Sequence, residues 1–80
     1  MTRPLWIGEI AEKDGMICLQ TGAHVWYPLD GSSGIAEKFR ESFGQAQQSD
    51  IGKRLYNFKG VLQMENAEQM QARLASENAP

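Results

Sequence analysis

The sequence predicts an α+β domain: a small antiparallel sheet of about five strands and two helices, in the order β-β-β-α-β-β-α. Three observations carry the prediction. Asp14-Gly15 and Asn57-Phe58-Lys59-Gly60 are hairpin-turn sequences set between apolar runs. Ile35, Ala36, Phe39 and Phe43, and again Ala67, Met70 and Leu74, recur at helical spacing. Most connections between these segments are short, which suits antiparallel neighbours. A strongly bent or partly closed sheet of the SH3-like kind is the main variant.

Met1 to Pro4 is a lead-in, and the first hairpin follows it. A type I′ turn needs positive φ at both central positions, and Asp-Gly tolerates this well. The turn sets Lys13 opposite Met16, Ala11 opposite Cys18 and Ile10 opposite Leu19. Alternation along a strand then places Trp6, Ile10, Ile17 and Leu19 on one face and Leu5, Ile7, Met16 and Cys18 on the other. A second tight turn at Thr21-Gly22 adds Trp26 to the first face and Val25 and Tyr27 to the second. Both faces are apolar, so the sheet is covered on both sides or closes on itself. Gly8 marks a bend or a site where a neighbouring ring lies over the backbone, and Pro28 ends the third strand.

Asp30 to Gly34 is a loop by composition. Ser33 is the expected N-cap of a helix over 34–43, and Gly44 its terminator. Gln45 to Asp50 has no periodicity and reads as a mobile connection. The second hairpin reads as a type I turn with a glycine bulge. That register gives Tyr56, Leu62 and Met64 one face and Leu55, Asn57, Val61 and Gln63 the other. Asn66 caps the last helix, with Gln69 reaching back, through about Ser76. Residues 1–76 form a single domain and 77–80 a frayed tail.

Eighty residues make one small domain, in which only roughly 60 to 65% of the unfolded chain's surface becomes buried. No apolar run approaches the ~20 residues of a membrane-spanning helix and the N-terminus lacks a signal-peptide core, so a cytoplasmic protein without membrane contact is expected. One Cys and one His are too few for a structural zinc site, and neither a metal nor a cofactor is expected. The formal charge is −2, yet residues 51–64 carry Lys53, Arg54 and Lys59 with no acid.

No motif fixes a reaction, and no catalytic residue is assigned. Cys18 and His24 fall on opposite faces unless the Thr21-Gly22 turn holds an odd extra residue, so a nucleophile and its base are not expected there. Ser32, Ser33 and Gly34 at a helix N-terminus, with Trp26, are the residues that would make a small-ligand or anion site. Lys53, Arg54, Tyr56, Phe58 and Lys59 interleave bases and aromatics on a hairpin, a combination that can contact phosphates and stack on bases. A short helix and a thin helical stripe cannot cover both sheet faces, so one face is expected to meet a second copy or another protein. The leading expectation is therefore a cytoplasmic binding or adaptor module that self-associates as a homodimer. Nucleic-acid binding through the hairpin and a small-ligand or anion pocket are the alternatives, and an enzyme is the least favoured class.

Overall fold

Asp14 and Gly15 both adopt positive φ, 53° and 77°, which closes β1 (Leu5–Lys13) directly onto β2 (Met16–Gly22). This is a computed structural model describing residues 3–77. Lys13 pairs with Met16, Ala11 with Cys18 and Ile10 with Leu19, as the turn chemistry requires. β3 (Val25–Pro28), β4 (Arg54–Phe58) and β5 (Val61–Met64) complete one antiparallel sheet in the spatial order β3-β2-β1-β4-β5. The sheet is open rather than closed into a barrel, because β3 and β5 each have a single neighbour.

One layer of cover lies on the first face. α1 (Gly34–Phe43) starts at Ser33, whose side chain accepts the Ala36 N–H at 3.3 Å, and stops at Gly44 with φ 79°. Its Phe39 is fully buried against Ile10, Leu19, Leu29, Leu55 and Leu62, with Ile35 and Phe43 packed around them. Arg40 ties the helix to the end of β3 by donating to the Leu29 carbonyl at 2.7 Å. The stretch 45–50, expected to be mobile, instead contains a 3₁₀ turn at Gln48–Asp50, whose Asp50 carboxylate accepts the Gln47 N–H at 3.0 Å. Ala46 and Ile51 on either side of that turn pack against the core, which gives the connection a fixed path.

α2 (Ala67–Glu77) has the expected cap: Asn66 Oδ1 accepts the Gln69 N–H at 2.7 Å and Gln69 Oε1 accepts the Asn66 N–H at 3.0 Å. The helix runs through Glu77, one residue past the expected end, and residues 78–80 of the expected tail lie outside the described residues. No residue of α2 is buried.

The register departs from the expected one in three places. The second turn is at Ala23-His24, and a bulge between Gln20 and Gly22 adds one residue to β2 opposite β3. Trp26 therefore faces Gln20 on the second face, and Tyr27 faces Leu19 on the first. In β1 a bulge lies between Trp6 and Gly8, so two residues of β1 oppose Leu55 alone. It turns Ile7 into the core and puts Trp6 opposite Tyr56 on the second face, reversing the simple alternation. The third departure is at Lys59-Gly60, with φ 53° and 82°, which is a two-residue hairpin turn pairing Phe58 with Val61. Leu55, Leu62 and Met64 thus share the core face, while Tyr56, Phe58, Val61 and Gln63 share the other.

Candidate functional site

The three register changes assemble an uncovered second face. Trp6, Tyr56 and Gln63 form one row across β1, β4 and β5. A second row runs from Trp26 through Gln20 and Glu9 to Arg54. Trp6 is 53% exposed and Val61 60%. Lys13 lies over the Trp26 ring, 3.8 Å from its centre, a cation–π contact that also shields the apolar stem of the lysine. A shallow recess of about 260 Å³ opens among Trp6, Glu9, Gln20, Ala23 and Arg54. A larger groove of about 790 Å³ lies beside β5, lined by Phe43, Tyr56, Leu62 and Gln63 together with Arg3 and Pro4 of the lead-in and Gln69 of α2.

Ion pairs hold α2 at one end of this face. Arg73 donates to both Glu65 oxygens through Nε, at 3.2 and 3.0 Å, and reaches the Gly52 carbonyl through Nη2 at 2.6 Å. Arg54 meets Glu77 at 3.1 Å and Glu9 at 3.7 Å. Burial alone would push the Glu65 carboxyl up, but the hydrogen bonds from Arg73 and the Arg54 backbone N–H, with the two guanidinium charges, hold it below its ordinary value. The hydrogen bond to Glu65 likewise raises Arg73. The pairing makes the cluster structural: its donors and acceptors are spent on one another.

The basic hairpin residues are only partly available to a ligand. Lys53 is held by Asp50 at 3.2 Å with its side chain 13% exposed, and Arg54 is engaged by acids as described. Lys59 stands at the turn, over Phe58 at 5.4 Å from the ring centre. Tyr56, Phe58 and Arg54 do share the second face, but Lys53 precedes the strand and turns toward Asp50.

Ser32, Ser33, Gly34 and Trp26 are not brought together as a pocket. Ser33 is occupied by capping Ala36, and α1 packs on the first face while Trp26 lies on the second, so the sheet separates them. Cys18 is buried between Ala11 and Pro28. Burial pushes its thiol up and the Asp30 carboxylate adds to this, which keeps the sulfur protonated. His24 sits exposed in the Ala23-His24 turn. Among the described residues no group of three or more His, Cys, Asp or Glu side chains is placed to hold a metal ion. No helix among them is long and apolar enough to cross a membrane.

The row of Trp6, Tyr56 and Gln63 is the feature that strict alternation misses. Its signal in the sequence is Gly8, since a glycine inside a strand marks a bulge. No protein-family model, curated protein or solved structure matches the chain.

Proposed function

We propose that the chain is a small cytoplasmic binding module that self-associates through the uncovered side of its sheet. The observation that carries the reading is the exposure of Trp6 beside Tyr56 on a face that α1 does not reach. Exposed aromatics on a rigid sheet are good contact residues, because they offer large area and lose little rotamer freedom. α2 leaves this face open, being attached by ion pairs at one end and burying no residue of its own. The lone Cys18 suits a reducing compartment.

Nucleic-acid binding by the hairpin has weaker support, since Lys53 and Arg54 are neutralised within the chain. Sedimentation at micromolar concentration tests the proposal. A dimer is expected in the wild type, with Trp6→Lys weakening it while leaving the circular dichroism spectrum unchanged. A single species near 8.9 kDa at every concentration would overturn self-association. Titration of tryptophan fluorescence with RNA and single-stranded DNA at low salt tests the competing reading.

A further inference from the structure

The free edge of β5 has an orientation of backbone groups that specifies a partner. In a two-residue hairpin the residues flanking the turn exchange hydrogen bonds, so Phe58 and Val61 face inward and the pattern alternates from there. Gln63 points its backbone groups at Tyr56, and the Glu65 N–H reaches the Arg54 carbonyl at 3.0 Å, which keeps the same phase. Leu62 and Met64 are left with N–H and C=O groups directed away from the sheet, where no strand lies. Only another extended strand presents donors and acceptors at that spacing.

The two edges of the sheet differ in their protection. β3 ends in Pro28, which supplies no N–H, and runs straight into a turn closed by the Gly31 N–H on the Pro28 carbonyl at 3.0 Å. β5 reads Val-Leu-Gln-Met, with no proline and no charged residue, so among the usual devices that keep edges apart it has only its shortness.

We propose that β5 pairs antiparallel with β5 of a second copy about a two-fold axis at Gln63, joining the two sheets into one. This rests on the self-association reading but places the contact at the β5 edge of the sheet rather than over Trp6 on its second face. With the axis at Gln63, Leu62 of each copy faces Met64 of the other, and each such pair exchanges both of its N–H···O=C bonds. The phase is the correct one, since these are the residues whose groups point outward. Gln63 faces its own symmetry mate, so no like charges meet at the axis. The same register carries Lys59 at one hairpin tip toward the acidic first turn of the other copy's α2, at Glu68. It also makes the rows of Trp6, Tyr56 and Gln63 continuous across the two copies and joins the two grooves lined by Phe43 and Leu62.

Gln63 is exposed, so its charge can be changed without touching the core. Gln63→Lys and Gln63→Glu should each lose the dimer in sedimentation, because like charges then face each other across the axis. An equimolar mixture of the two should recover it. In the wild type, amide exchange at Leu62 and Met64 should slow as concentration rises. A wild-type dimer that persists in both variants, or a mixture no more associated than either variant alone, would overturn edge pairing and leave association through the second face standing. A monomeric wild type would overturn both.

Discussion

Gly8 lies against the backbone of Gln20 so closely that a Cβ built on it would stand 2.6 Å from the Gln20 carbonyl oxygen and 3.1 Å from Leu19 Cδ1. The neighbour it would strike is strand backbone, which cannot rotate away as a side chain can. Gly8→Ala should therefore destabilise the domain by about 1–3 kcal/mol, the range for overpacking a filled site. Urea denaturation followed by circular dichroism measures this, and an unchanged midpoint would contradict the close approach of β1 and β2.

Gly15→Val should also destabilise, for a different reason. A Cβ at Gly15 meets no atom within 4 Å, so the penalty is conformational alone: φ 77° suits glycine and strains a β-branched residue. A loss of roughly 1–3 kcal/mol is expected, and Gly15→Asn, which tolerates positive φ, should retain most of the stability. Thermal melts of the two variants decide the matter. Equal melting temperatures would place the strain elsewhere.

The Glu65–Arg73 pair predicts an acid-dependent loss of stability. The Glu65 carboxyl is held below its ordinary value of 4.5, so the pair contributes fully above that pH and its contribution disappears as pH falls through the lower folded value. Glu65→Gln should cost about 1.5–3 kcal/mol at neutral pH, the range for a hydrogen bond to a charged group, and should flatten the acid side of the pH profile. Urea midpoints taken from neutrality down to the acid range test both statements. A variant as steep as wild type below pH 4.5 would exclude Glu65 as the titrating group.

Phe39→Ala should be the most damaging single change in α1. Phe39 is fully buried at the centre of the core, and removing a buried phenyl ring costs about 3–5 kcal/mol, a large share of what so small a domain has. Phe43→Ala, at the half-buried end of the same helix, should cost less. Comparing their denaturant midpoints tests the order.

Trp6→Lys should leave monomer stability within about 0.5 kcal/mol of wild type, as befits a side chain more than half exposed, while reducing association. Loss of folding on this substitution would show that Trp6 supports the monomer.

The local chemistry of the chain determined its elements. Asp14-Gly15 set the first hairpin and its register, Ser33 and Gly44 bounded α1 at 34–43, and Asn66 with Gln69 opened α2. Each depends on residues within a few positions of one another, so their torsional preferences and short hydrogen bonds are legible without knowledge of the partner strands. Which side of the sheet each aromatic occupies was decided by tertiary structure. The bulge at Trp6 to Gly8 exists only where β1 meets β4, the extra residue between Gln20 and Gly22 only where β2 meets β3, and the two-residue turn at Lys59-Gly60 only because it aligns Leu62 with the core beside Leu55. A strand alternates its faces with period two, so a shift of one residue reverses every side chain beyond it. Burial of Ile7, Leu55 and Leu62 selects the shifts around β4, and Trp6 and Tyr56 are carried to the open face as their consequence, while the separate bulge between Gln20 and Gly22 carries Trp26 there.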